Sequence, residues 1–252
     1  MKKVFLAILA TVAVVGMVSC NKDDNNKKSG KGGKTAAEVN IKIDGDLSDW
    51  ADVAVAAEIN EGGEETVESR ASMLTLKTAA DATNLYIYFE ALIPEDMTAA
   101  PIDMFIDSDN DPTTGFTSWI WKPSGYEFMI ESEDGILNST LDAVINMEDA
   151  AIYKALNYTD PATGEQVEFW GNGATHEDVE ITGFIESAGK VVNGTAFVEF
   201  SILRSAINAR AKGKIGFGIV YNMVPPANWA QVGMLPIGTD VGQVPFLEIA
   251  LP

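Results

Sequence analysis

The 252-residue chain reads as an all-β protein, with one antiparallel β-sandwich of immunoglobulin- or jelly-roll-like type over residues 37–252. Three observations lead there. Short stretches that alternate apolar and polar residues recur along the chain, separated by clusters of Gly, Pro, Asn and Asp. Apolar residues almost nowhere repeat at helical spacing. The length left after the N-terminal segments, about 200 residues, is what one sandwich needs, so no second domain is required.

Residues 1–19 read as a secretory signal. Met1-Lys2-Lys3 is basic, Val4–Val18 is apolar, and small residues precede Cys20. The run is too short for a membrane span and has the flanks of a signal peptide. Val18-Ser19-Cys20 resembles the lipobox of bacterial lipoproteins, with Met17 where Leu is usual. The resemblance implies that Cys20, the only cysteine, is lipidated and becomes the mature N-terminus; acyl chains tether a protein without spanning the bilayer. Asn21-Lys22-Asp23-Asp24 resembles the surface-export signal of Bacteroidota lipoproteins, or else is a solvated linker. The first reading implies an outer-membrane protein facing the cell exterior. Residues 20–36, rich in Lys, Gly, Ser and Asn, form a flexible tether with no apolar residue after Cys20 until Ala36.

Structure is expected from Ala37. Val39–Ile43 alternates as a half-buried strand does. It runs into Ile43-Asp44-Gly45-Asp46-Leu47-Ser48-Asp49-Trp50. This stretch resembles the opening motif of carbohydrate-binding module family 9 and related DOMON-like β-sandwich domains. The resemblance implies that Trp50 packs against the sandwich rather than meeting a ligand. Val53–Ile59 and Ala71–Ala80 follow as strands, the second with Leu74 and Leu76 on one face. Asp81–Asn84 is a turn. Leu85–Phe89 is the clearest strand, with Leu85, Ile87 and Phe89 facing one way and Tyr86 and Tyr88 the other. The order of strand, Asp-rich turn, Asn-Leu-Tyr-Ile strand and Asp-rich loop also resembles the family, well over residues 41–130 and only in architecture beyond.

Ile102–Ile106 is the next strand, and it opens the Phe105–Phe116 stretch with aspartates at 107, 109 and 111. Carboxylates at alternate positions of a turning loop can converge on one point, and hard oxygen ligands there suit Ca²⁺. The loop is not an EF-hand: its sixth position is Pro112 rather than Gly, and its twelfth is Ser118 rather than Glu. A Ca²⁺-stabilised loop with ligands Asp107, Asp109 and Asp111 is the reading, completed by Glu127 where the shell stays open. The bland alternative is a solvated acidic turn, since Asp, Asn, Pro and Gly favour turns.

Trp119-Ile120-Trp121 reads as a strand with both indoles on one face. In Gly125–Glu131, Tyr126, Phe128 and Ile130 share one face. Ala150–Tyr158 is a strand or one helical turn. Gln166–Gly171 is a short strand carrying Trp170, and Gly171–Asp178 a loop. Val179–Ser187 and Lys190–Ile202 read as a hairpin across Ala188-Gly189, passing into a helical turn near Ser205. Lys214–Asn222 is a strand, Val224–Gln231 a long loop with Trp229, and Phe246–Leu251 the last strand.

Composition excludes several functions. The formal charge is −20, and the residues after Lys34 hold ten basic against 35 acidic side chains. Such a body repels nucleic acid and anionic lipid and tolerates divalent cations and neutral ligands. One cysteine and one histidine allow no internal disulfide and no zinc site built from several Cys or His. His176 sits in a Gly-rich stretch, no Gly-x-Ser-x-Gly elbow occurs, and it reads as a surface histidine. Haem, which some DOMON-like domains bind, lacks its ligand context here. Acid pairs arise by chance in so acidic a chain, so they do not signal a glycosidase, and no enzyme is expected.

Sugar binding needs an exposed indole beside polar loops, because the CH face of a pyranose stacks on an aromatic ring. Trp229, Trp121, Trp170 and Trp119 are the candidates. The resembled module grips its sugar between two tryptophans on loops. The expectation is thus a surface-anchored, non-catalytic lipoprotein that binds a glycan or polysaccharide near outer-membrane uptake or adhesion partners. The alternative is an adhesion or assembly lipoprotein whose sandwich binds a protein.

Overall fold

The elements are almost all strands. The computed structural model describes residues 40–58, 73–92, 102–118, 120–132, 150–156, 162–165, 169, 175–210, 212–223, 230–237 and 244–252. Strands run β1 Val55–Glu58, β2 Met73–Ala80, β3 Asn84–Leu92, β4 Ile102–Asp107, β5 Phe128–Glu131 and β6 Ala151–Ala155. They continue β7 His176–Asp178, β8 Ile185–Val192, β9 Thr195–Leu203, β10 Gly213–Met223, β11 Ala230–Leu235 and β12 Leu247–Leu251. One sheet has the order β1-β2-β3-β9-β8. The other has the order β11-β10-β4-β5-β6-β7, with β12 also on β10. Neighbouring strands are antiparallel throughout. This is the sandwich that the alternation predicts.

The period-2 pattern explains which side chains meet between the sheets. β3 sends in Leu85, Ile87 and Phe89, and β9 sends in Val198, Phe200 and Ile202. From the other sheet come Ile102, Met104 and Ile106 of β4, Phe128 and Ile130 of β5, and Ile215, Phe217 and Ile219 of β10. Among the described residues the buried clusters lie between Ile41 and Leu251, within the compact unit from Gly33 to Pro252.

Both sheets are also covered on their outer faces. On the five-stranded sheet, Tyr86 and Tyr88 are buried under residues 41–53, with Trp50 at 1% exposure. The Trp50 ring centre lies 5.5 Å from that of Tyr88. The expected strand at 39–43 is absent among the described residues. The chain from Asn40 is instead an irregular strap ending in a 3₁₀ turn, Leu47–Trp50, whose N-cap Asp46 accepts the Ser48 N–H. The strap takes this course because Glu199 holds it. That fully buried carboxylate accepts the Asp44 N–H at 2.9 Å, the Gly45 N–H at 2.6 Å and the Trp50 indole N–H at 2.8 Å. Burial pushes the Glu199 carboxyl up, and these three donors pull it back.

On the seven-stranded sheet, Phe105, Phe116, Trp121, Tyr126, Met129, Phe169 and Phe246 form a second cluster. Trp121 lies against β10 at Gly218, where a Cβ would come within 2.7 Å of its ring. A glycine in a strand interior allows this close approach.

Four sequence expectations are corrected. Trp121 makes only an isolated bridge to Val244, not a strand. Tyr126 joins Met129 on the outer face, because it precedes β5 and pairs with Phe116. The hairpin turn is Asn193-Gly194, with φ of 53° and 79°, and not Ala188-Gly189, which lies inside β8. β11 occupies Ala230–Leu235, where the end of a loop was expected.

Candidate functional site

The same alternation that sends Ile106 inward places Phe105 and Asp107 outward at the end of β4. The chain then turns through a loop and returns to the sheet at Glu127. The Glu127 N–H donates to the Ile106 carbonyl at 3.0 Å, which sets its side chain beside the loop. Asp107, Asp109 and Glu127 each offer an oxygen within 4.8 Å of the others. Asp107 is 4% exposed.

The loop is built to hold these oxygens. The Asp111 N–H donates to Asp107 Oδ1 at 3.1 Å and to Asp109 Oδ1 at 3.0 Å. The Thr114 hydroxyl lies 3.1 Å from Asp109 Oδ1 and 2.9 Å from Glu127 Oε1. Glu127 Oε2 accepts the Ser108 N–H at 2.8 Å. Asn110 takes the left-handed backbone conformation, φ 54°, that Asn tolerates better than most residues. Arg210 donates to the Asp109 carbonyl oxygen, tying the loop to the segment after β9.

Asp111 does not join the group. Its carboxylate accepts the Thr113 N–H at 3.0 Å and the Thr113 hydroxyl at 2.6 Å, and these bonds hold its pKa below the usual value. Its part in the loop is its backbone N–H.

Burial first, and then the Glu127 charge, push Asp107 up to about 7; Asp109 adds to the effect and the Asp111 N–H opposes it. Burial also raises Glu127, partly offset by the Ser108 N–H and the Thr114 hydroxyl. Carboxylates this close and this dry oppose their own ionisation, and a divalent cation among them removes the conflict. Three carboxylates and a neighbouring hydroxyl are hard oxygen donors, so the residues present fit Ca²⁺.

The Asp107 carboxyl is pushed up to about 7 in the folded chain, against 3.8 for a free aspartate. Its contribution is fully present below the unfolded value and is lost as pH rises through about 7. In EDTA, Asp107→Asn is therefore expected to raise the melting temperature at pH 8 and to change it little at pH 4. An unchanged or lower melting temperature at pH 8 would show that the Asp107 charge is not under strain.

Of the expected sugar platforms, Trp121 is fully buried, with its ring against Phe105 and Phe246 and its indole N–H donating to the Pro236 carbonyl at 2.8 Å. It is a structural residue of the outer cluster and offers no face to a ligand. Trp119, Trp170 and Trp229 lie outside the described residues, as does Cys20. His176 is half-buried on β7, where a loop was expected, and stacks on Phe169 with ring centres 4.9 Å apart. Sequence reasoning missed Glu199, whose signal was a lone acid in the apolar run Phe197-Val198-Glu199-Phe200.

Neither a family model nor a curated protein matches the chain. Two solved structures of a carbohydrate-binding module family 9 from Caldicellulosiruptor kristjanssonii are similar to it at low identity. The one in complex with cellotriose is 14% identical with a TM-score of 0.41, over 84% of this chain and 89% of that one. The one in complex with glucose is 13% identical with a TM-score of 0.39, over 84% and 91%.

Proposed function

We propose that the domain is a non-catalytic, carbohydrate-binding β-sandwich, anchored to the outer membrane through a lipid on Cys20 and facing the exterior. The loop after β4 holds a structural Ca²⁺ through Asp107, Asp109 and Glu127. One observation carries the reading: the Asp44–Trp50 motif, which resembles the opening of family 9 modules, is locked onto an antiparallel sandwich by Glu199. The Asp-rich loop then follows at the end of the strand where that resemblance expects it. Calcium here supplies rigidity and no chemistry, holding the loop against the outer aromatic cluster. Sugar contact falls to Trp229, Trp170 and Trp119, since Trp121 is taken by the core.

The Ca²⁺ part has its own test. Ligand that binds only the folded state stabilises it by about 2.7 kcal/mol at a hundredfold excess over Kd. The expected result is a higher melting temperature in Ca²⁺ than in EDTA, with the gain lost in Asp107→Asn and in Glu127→Ala. Equal melting in Ca²⁺ and EDTA for the unmutated protein would sink the calcium reading. A second reading, an adhesion or assembly module that binds a protein, is favoured by the burial of Trp121, which leaves fewer indoles for a sugar.

A further inference from the structure

Arg210 lies outside the acidic loop, on the segment between β9 and β10, yet its guanidinium reaches the loop and donates to the Asp109 carbonyl oxygen. Exposed arginines commonly sample many rotamers, because a surface contact rarely offsets the entropy lost in holding a long side chain still. This one is steadied along its length. Its own carbonyl oxygen accepts an Nη2 N–H of Arg204 at 2.6 Å. Arg204 is buried, and its Nη1 N–H donates to the Asp81 carbonyl oxygen in the turn between β2 and β3. The Arg210 stem runs past Gly213, where a Cβ would stand 3.3 Å from the Arg210 Cδ. Gly213 has φ 118°, a conformation that side chains rarely adopt, and it leaves this stem its room.

The bond fixes the part of the loop on which the carboxylate cluster depends. With the Asp109 carbonyl turned to Arg210, the Asp109 carboxylate is left to meet the Asp111 N–H and the Thr114 hydroxyl. The next residue is tied as well, since the Asn110 side-chain amide donates to Glu248 on β12. Without a cation, Asp107, Asp109 and Glu127 repel one another and push the loop open. Arg210 opposes this from outside the cluster and gathers the oxygens before an ion arrives. A preordered site binds more tightly, because less ordering is left to the binding step. Charge alone points the other way: a guanidinium beside a dication site repels the ion, so its removal would tighten binding. Arg210 is exposed, however, and water and salt screen that repulsion. A hydrogen bond to the loop backbone acts through geometry, so positioning outweighs charge.

We propose that Arg210 is a positioning residue of the acidic loop: it holds the Asp109 carbonyl from the β9–β10 segment, sets the Asp109 carboxylate for a divalent cation, and raises Ca²⁺ affinity despite its own positive charge. This role rests on the Ca²⁺ reading above.

The test is Ca²⁺ titration calorimetry of the full chain, with melting in EDTA measured beside it. Arg210→Ala removes donor, stem and charge together. Arg210→Met keeps an apolar stem beside Gly213 and loses the donor and the charge. Arg210→Lys keeps the charge and an N–H that can reach toward the Asp109 carbonyl. The expected result is Ca²⁺ binding about tenfold weaker in Arg210→Ala and Arg210→Met, with most of the loss recovered in Arg210→Lys. Melting in EDTA moves little in all three, since the residue is exposed. Tighter Ca²⁺ binding in Arg210→Ala would overturn the proposal, because charge would then dominate. Arg210→Met binding as tightly as the unmutated protein would overturn it equally, since the stem would then suffice. No Ca²⁺ binding by the unmutated protein would sink the metal reading itself, and this role with it.

Discussion

Replacing Glu199 with alanine is expected to lower the melting temperature of the 33–252 unit by on the order of 10 °C. The residue is fully buried and serves three donors at once: two backbone N–H groups of the strap and the indole of Trp50. Each buried donor left without an acceptor costs about 1–3 kcal/mol, and a shift of the freed strap recovers part of this. A net loss of about 3–5 kcal/mol follows. The strap covers Tyr86 and Tyr88, so its release also exposes the outer face of β3. Glu199→Gln keeps one acceptor oxygen and turns an amide N–H₂ toward one of the donors, so its loss is smaller. Circular dichroism melts of both variants check the order. A shift of a degree or two for Glu199→Ala would show that the strap is held by packing alone.

The second large effect is at Gly125. A Cβ there would stand 2.0 Å from the Thr114 carbonyl oxygen and 2.9 Å from that of Asp111. Both obstacles are backbone, so Gly125→Ala cannot be relieved by a side-chain rotation. The loop from Asp111 to Thr114 must move instead. That loop supplies the Asp111 N–H and the Thr114 hydroxyl that fix Asp107, Asp109 and Glu127. The expected outcome is a loss of about 2–4 kcal/mol, at or above the usual range for overpacking, together with at least a tenfold loss of Ca²⁺ affinity. Gly183→Ala is the control: its φ is 67°, but a Cβ there meets nothing within 4 Å. It costs only the left-handed backbone term, about 1–2 kcal/mol, and leaves the Ca²⁺ response unchanged. Equal effects of the two substitutions on the Ca²⁺ response would separate the loop from the cation.

Much of this architecture was legible because strand alternation is a local property. β3, β4, β9, β10 and β12 lie close to where apolar and polar residues alternate, and Glu127 sits beside Asp107 as the strand-and-loop order suggests. The misreadings share a cause, which is that tertiary partners decide them. Ala188-Gly189 looks like a turn, yet β8 runs through it to Asn193-Gly194, a dipeptide suited to the left-handed conformation at both positions. Asp111 looks equivalent to Asp107 and Asp109 until Thr113 captures its carboxylate. Trp121 looks like a platform until the flat stretch of β10 at Gly218 receives it. The alternating Gly216 and Gly218 were the signal for a ring lying on that strand. Exposure of an aromatic residue is settled by which other elements cover it, and spacing along the chain carries no record of that.

The central claim is glycan binding, and titration calorimetry of the 33–252 unit with a panel of soluble oligosaccharides in Ca²⁺ tests it most directly. The account predicts saturable binding to at least one of them, abolished by Trp229→Ala with no change in melting temperature. No binding heat from any member of the panel, in a unit that melts cooperatively and is stabilised by Ca²⁺, would contradict it and leave the protein-binding reading in its place.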